Sequence, residues 1–466
     1  MTPTTPGFVD RARSDRAAGR VTALEIGARL LTDRALAAAG DYPAMEEMRD
    51  RARDIRLHTL ANLDHYLGKF ADAVAASGGV VHWAADGDEA NDTISRLARD
   101  RNVHTAAKSK SMVTEEIELN DALALADVVV TETDLGEFIV QLSGDRPSHI
   151  IAPVLHRTRQ EIGELFATEL GVGYTDDPVE LNGIARRHLR KIFLSADMGI
   201  SGVNFGVAES GSVCLVTNEG NGRLTTTTPR LHVAVMGMER LVPSLADLTV
   251  MLEVLARSAT GQKLSVYTNI VTGPRRPEEP DGPDEFHVVI LDNGRSGVLA
   301  GKAAEILACI RCGACLNVCP VYRNAGGHAY DSVYSGPVGA VLTPALHGLE
   351  GHSDLPYASS LCGACKDVCP VRIDIPEMLL ALRAEVSEAG LTPGWLAYGV
   401  RRYADAATRP AVWRTLLATG GQLMRFRSTW LDSLPSHGRG WTEHRQFPPP
   451  ATRPFRTRWK DRKRGA

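Results

Sequence analysis

The chain has 466 residues, 44% hydrophobic and 23% charged, with a formal net charge of −4. That length accommodates about three domains with well-buried cores, and the mild acidity argues against nucleic acid as the main partner. No stretch approaches the roughly 18 consecutive apolar residues of a membrane span, and Met1-Thr-Pro-Thr-Thr-Pro6 lacks the pattern of an export signal, so a cytoplasmic protein is expected.

Residues 1–64 are charged, with Leu31, Ala35, Ala38, Met45, Met48, Ile55 and Leu57 at near-helical spacing, and read as helices that pack on the next domain. A helix from Asn62 ends at Gly78-Gly79, and Val80–Trp83 follows as a buried strand. Strand, loop and helix then repeat. A helix is expected over 88–100, a strand or loop over 103–107, and a helix from Val113 to about Leu123 opened by Lys108–Met112. Strands at Asp127–Glu132 and His149–Pro153 and a helix at Thr158–Leu170 continue the pattern. Such alternation predicts a mostly parallel sheet with helices on its faces, and ligands gather at the carboxyl ends of such strands.

Between 185 and 295, Val213–Thr217, His232–Met236, Lys263–Tyr267 and Phe286–Leu291 read as buried strands separated by glycine-rich turns. Thr225–Thr228 with Arg230 forms a polar run that could take an anionic group, although such loops are commonly plain turns. Cys214, inside an apolar run, reads as a small core residue. Pro274–Pro283 is acidic, Pro-rich and expected to be exposed.

Gly301–Ile310 is expected to be a helix leading into Cys309-x2-Cys312-x2-Cys315-x3-Cys319-Pro320. This is the spacing of iron–sulfur proteins, in which the fourth cysteine serves the other cluster of a pair. The required second motif is Cys362-Gly-Ala-Cys365-Lys-Asp-Val-Cys369-Pro370. The exchange rule groups Cys309, Cys312, Cys315 and Cys369 at one [4Fe–4S] site and Cys319, Cys362 and Cys365 at a second. Ser359 stands where the second motif's first cysteine would be. The second cluster is then a [4Fe–4S] with a non-cysteine ligand, from Ser359, Ser360, water or a partner, or else a [3Fe–4S]. Zinc knuckles and disulfides are the alternatives, and seven cysteines in two phased Cys-Pro motifs weigh against both.

About forty residues separate the motifs, and Met378–Val386 is helical in pattern, which predicts a helical ferredoxin module. Residues 391–435 continue as amphipathic helices carrying Trp395, Tyr398, Val400, Trp413, Leu416 and Leu417. Arg453–Arg464 holds seven basic residues and one acidic, and reads as a solvated or partner-docking end.

Lys108, Lys110, Glu115 and Glu116 form a candidate docking point for a small organic acid, set against the plainer reading of a helix start capped by Ser109 or Ser111. His149 and His156 are candidates for proton handling, set against structural roles. No G-x-G-x-x-G fingerprint for flavin or nicotinamide is present, which places a two-electron step at a partner or at a shared site.

The chain resembles the lactate utilisation protein B family, the iron–sulfur protein of a three-component L-lactate system. The residues carrying the likeness are Val81–Ala84, Lys108–Asn120, Glu132–Leu142, Pro147–Pro153, Cys309–Arg323, Gly326–Tyr330, Leu355–Cys362 and Phe455–Trp459. The resemblance implies an α/β lactate-utilisation (LUD) domain at 65–295, similar in fold to sugar-phosphate isomerases and CoA transferases. It implies an α-helical ferredoxin dicluster domain at 300–390 and a helical C-terminal region at 391–466. The implied role is electron transfer during oxidation of L-lactate to pyruvate, with two partners, a cysteine-rich oxidoreductase subunit and a second LUD-domain subunit. Serine at position 359 is shared with the family pattern. The alternatives are a LUD-domain protein acting on another 2-hydroxy acid such as glycolate, or an iron–sulfur redox sensor.

Overall fold

The computed structural model describes residues 6–425, 442, 445–446, 448, 451 and 455–464. Six strands form a sheet in the order β1 (Val80–Ala84), β10 (Glu285–Leu291), β7 (Leu231–Gly237), β4 (Met198–Gly202), β2 (Thr105–Lys108) and β3 (Val129–Glu132). Every neighbouring pair is parallel.

Side-chain alternation explains the arrangement. Along β7, Leu231, Val233 and Val235 enter one core while Ala234 and Met236 enter another, and β10 separates Val289 and Leu291 from Phe286, Val288 and Ile290 in the same way. Strands apolar on both faces need cover on both sides, which parallel sheets obtain from their crossover segments. Helices Gly87–Asp100 and Leu119–Leu125 cover one face through Ala90, Ile94, Leu119 and Leu123. The other face meets helix Leu63–Ala76, through Phe70 and Val74, and a second sheet. That sheet has the order β8 (Leu241–Val242), β5 (Phe205–Val207), β6 (Ser212–Thr217) and β9 (Tyr267–Val271). Each fully buried Leu, Val or Phe in these layers contributes roughly 1.5–3 kcal/mol.

Several elements differ from their sequence reading. His149–Pro153 is a bend, because His149 Nδ1 accepts the backbone N–H groups of Ile151 and Ala152 at 3.0 and 3.1 Å and curls the chain. Lys263–Tyr267 is not a strand; β9 starts at Tyr267, and Leu264 and Val266 are exposed. The helix expected over 113–123 is two, Met112–Glu116 and Leu119–Leu125, broken at Glu118, whose φ is +52°. Instead of an α-helix, Gly301–Ile310 contains the 3-10 turn Ala304–Ala308. Thr225–Thr227 is helical, within Asn221–Thr227. Helices not read from the sequence include Leu135–Ser143, Gly336–His347, Pro178–Ser195, capped by Asp177 with Pro178 at its first position, and Leu245–Thr260, capped by Ser244.

By packing, Met1–Ala389 is one compact unit and Gly390–Ala466 another. Within the first, helices Arg20–Gly40, Met45–Ala61 and Leu245–Thr260 share a core with the cysteine segment, in which Leu24, Ala52, Met251, Ile306, Leu316 and Leu379 are all buried. Arg56 locks this junction. Its guanidinium, fully buried, donates to the carbonyls of Leu241 (2.6 Å), Leu307 (2.9 Å), Ala308 (3.2 Å) and Glu239.

The second unit contains helices Gly394–Ala407 and Pro410–Arg425, with Tyr403 edge-on to Trp413 at 5.5 Å, and helix Phe455–Arg464. Trp395, Tyr398 and Val400 are exposed. The amphipathic reading beyond 425, and the basic residue Arg453, lie outside the described residues. Among the described residues no helix is long and apolar enough to cross a membrane.

Candidate functional site

The two cysteine motifs fold as repeated loops. In the first, Arg311 has φ +60° and Gly313 φ +73°, and a short helix, Ala314–Val318, follows. In the second, Leu361 has φ +54° and Gly363 φ +87°, and helix Ala364–Asp367 follows. Glycine at 313 also admits close packing, since a Cβ there would lie 3.1 Å from Ile151 and 3.3 Å from His149. Backbone N–H groups point at sulfur: Arg311 N to Cys309 Sγ (3.4 Å), Tyr322 N to Cys319 Sγ (3.5 Å) and Ile373 N to Cys369 Sγ (3.3 Å). At the matching point of the second loop, Leu361 N donates to Ser359 Oγ at 3.1 Å. Ser359 is therefore the local counterpart of Cys309, and Ser360 is exposed.

Cys309, Cys312, Cys315 and Cys369 line one enclosure with Ile150, Ile306, Val338, Val371, Ile373 and Ile375. Burial, and then the neighbouring Cys369 and Cys309, push the Cys312 thiol up. Cys365 is pushed up to about 12 by burial and then by Cys319 and Cys362. The thiols thus lie in two sets, and Cys315 also feels Cys365, so the sets adjoin. All eight cysteines are free. Among the described residues no three His, Cys, Asp or Glu side chains close on a single ion. Four thiols spread around a largely apolar enclosure, with N–H donors at the sulfurs of Cys309 and Cys369, suit a multi-iron cluster, whose irons would add positive charge to that of Arg311 in the wall. Cys362, in contrast, is exposed. Cys214 sits in the core, its thiol pushed to about 12 by burial.

A cavity of about 560 Å³ opens at the carboxyl ends of the parallel strands, where this class of sheet binds ligands. Segments after β2 (Ser109–Met112), β3 (Asp134–Gly136), β4 (Val203, Asn204), β7 (Glu239, Arg240) and β10 (Arg295) line it. Arg311 and Tyr334 come to it from the cysteine segment, and Ile150 and Arg311 also line the four-cysteine enclosure. Glu239 organises this wall. Arg295 donates to it at 2.8 Å and Arg311 at 3.4 Å. Although burial pushes the Glu239 carboxyl up, Arg295, Arg311 and Arg240 outweigh it and hold it at about 2. Arg311 also lies over the Tyr334 ring at 4.2 Å, and Arg240 donates to the carbonyl of Cys309 at 2.8 Å.

The sequence candidates divide. Lys108 is fully buried and paired with Glu115 (2.6 Å) and Glu132 (2.5 Å), so it is structural and does not line the cavity. Lys110 does line it. Glu116 holds Arg295 at 2.8 Å and accepts from Asn293 at 2.7 Å. His149 Nε2 meets Asn317 Oδ1 at 2.9 Å, tying its loop to the helix between Cys315 and Cys319, and burial pushes its pKa down to about 4. His156 bonds Ser148 and Asp145. Neither histidine lines the cavity. Arg230 is exposed and bonds the carbonyl of Arg101. Glu239, Arg240, Arg295 and Asn221 were missed, since they come from segments far apart in sequence with no shared motif.

Fold and site together define a protein that joins a parallel α/β domain to a helical iron–sulfur module. The LUD domain family matches residues 67–291, and the 4Fe-4S dicluster domain family matches 305–373. Lactate utilization protein B of Oceanobacillus iheyensis is 46% identical over 433 residues, 92% of this chain and 91% of that protein. Lactate utilization protein B of Macrococcus caseolyticus is 47% identical over 443 residues, 94% and 93% of the two chains. The chain belongs to the lactate utilization protein B family.

Proposed function

We propose that this chain is the electron-transfer subunit of an assembly that oxidises L-lactate to pyruvate. As a member of its family it is an iron–sulfur component of lactate utilisation. Our assignment gives Cys309, Cys312, Cys315 and Cys369 to one [4Fe–4S] cluster, and Cys319, Cys362 and Cys365 to a second, with Ser359 at its fourth position. When bound, such clusters accept and release single electrons at potentials set by charge, hydrogen bonds to sulfur and exposure.

The chain's residues make the two sites unequal. Isoleucines and valines exclude water from the first, which shares Arg311 and Ile150 with the strand-end cavity. The second reaches solvent at Cys362, where a partner can approach. The expected partners are a cysteine-rich oxidoreductase subunit and a second LUD-domain subunit, in the cytoplasm. Co-purification from lactate-grown cells tests them, and recovery of the chain alone speaks against them.

The observation that carries this reading is the placement of Cys369, from the second motif, among the cysteines of the first. Cys369→Ala and Cys319→Ala test it by electron paramagnetic resonance after anaerobic reduction. Cys369→Ala should abolish the signal of the first cluster and Cys319→Ala that of the second. Loss of the same signal in both variants defeats the assignment.

The cavity favours one second reading, a ligand-binding α/β domain acting on another 2-hydroxy acid such as glycolate. Competition between glycolate and L-lactate in the purified assembly separates the two.

A further inference from the structure

The strand-end cavity carries more than a wall for the first cysteine motif. Its Lys110 Nζ is buried without a hydrogen-bond partner, the nearest carboxylate being Glu137 at 3.8 Å. Arg311 Nη1 is likewise buried and unpartnered, as is the side-chain oxygen of Asn221. Polar atoms of this kind are costly to bury without a partner; the Lys110 and Arg311 nitrogens are donors, and the Asn221 oxygen is an acceptor. The acids in the same wall are already engaged, Asp134 accepting from the backbone N–H groups of Gly136 and Glu137 at 3.0 and 3.2 Å. Glu239 is committed to Arg295 and Arg311. Glu219 is pushed up to about 7 by burial and by Asp134 beside it. Met112, Ile139, Ile151, Leu215, Leu255 and Ala259 give the remaining surface an apolar character.

We infer that this cavity binds an organic anion with an apolar body, its charge met by the free donors of Lys110 and Arg311, and presents it to the first cysteine motif. The volume of about 560 Å³ lies in the range of roughly 300–1,000 Å³ used for drug- or cofactor-sized ligands. It exceeds what a three-carbon acid fills. Two sources share this chemistry, a carboxylate substrate with room to spare and a phosphate-bearing redox cofactor such as a flavin nucleotide. Binding as such is independent of the electron relay. Only its redox relevance rests on that reading, through Arg311 and Ile150, which belong to both walls.

The test is calorimetric titration of the full-length, anaerobically purified protein with L-lactate, pyruvate and flavin mononucleotide in turn. At least one should saturate at one equivalent per chain. Saturation by the acids alone identifies a substrate site and by the flavin nucleotide alone a cofactor site, and either supports the inference. Lys110→Gln should weaken binding about tenfold or more, the loss expected for one charge-assisted hydrogen bond. Ala259→Phe fills the space without removing a charge and should weaken it comparably. Unchanged cluster resonance signals in both variants report an intact fold. No saturation by any of the three ligands overturns the inference, as does unchanged affinity in either variant. Clusters without anion binding remove this inference and leave the relay standing, and anion binding without clusters does the reverse.

Discussion

Ser359 occupies the position in the second cysteine loop that Cys309 occupies in the first. Each side chain accepts from the N–H two residues on, Leu361 or Arg311, and each of those residues has a positive φ. In the proposed assignment this hydroxyl takes the fourth position of the second cluster.

Ser359→Ala should therefore reduce iron from about eight to about seven per chain and bring out a [3Fe–4S] signal in the oxidised protein, while Ser359→Cys should retain the full complement. Ser360→Ala should leave both readings unchanged. Iron analysis and electron paramagnetic resonance of the three variants decide the point, and a wild-type spectrum from Ser359→Ala contradicts it.

Arg56→Met should cost about 3 kcal/mol or more, because it leaves four carbonyls at the junction of the helices, sheet and cysteine segment without their donor. Arg29→Met, which breaks only an exposed pair with Glu25, should change stability by less than about 0.5 kcal/mol. Urea unfolding midpoints of the two variants provide the comparison.

Lys108→Met should destabilise the fold by about 3–5 kcal/mol, since Glu132 would remain buried with its charge unpaired. Lys108→Met combined with Glu132→Leu should recover much of that loss. A calorimetric scan of the single and double variants reads the difference, and a larger loss in the double variant would contradict a structural role.

Stability should fall in acid partly through Glu239. Its carboxyl titrates near 4.5 when exposed and is held at about 2 in the fold, so its contribution is full above about pH 4.5 and is lost as pH drops toward 2. The shift of about 2.5 units corresponds to roughly 3 kcal/mol. In Glu239→Gln the slope of unfolding free energy against pH between 4.5 and 2 should be shallower than in the wild type.

Local chemistry was legible in the sequence wherever one segment sufficed. The apolar runs at β7 and β10 identified their strands, and cysteine spacing with its serine gap identified the two motifs. Where structure depends on distant partners, the reading failed for a physical reason. The Ile-Ile-Ala run after His149 resembles a strand, yet the imidazole takes two backbone donors and bends it. Lys108 and Lys110 look alike in sequence. Only the fold gives the first two carboxylates and leaves the second facing a cavity. That cavity gathers side chains from five strand ends and the cysteine segment, a convergence set by the parallel order of the sheet and invisible to any local pattern.

The most direct measurement is metal and sulfide analysis of the anaerobically isolated chain, coupled with its resonance spectrum on reduction. The account requires about seven to eight irons with matching sulfide, and a spectrum of two interacting centres. A colourless chain carrying zinc, or iron for a single cluster, would contradict it.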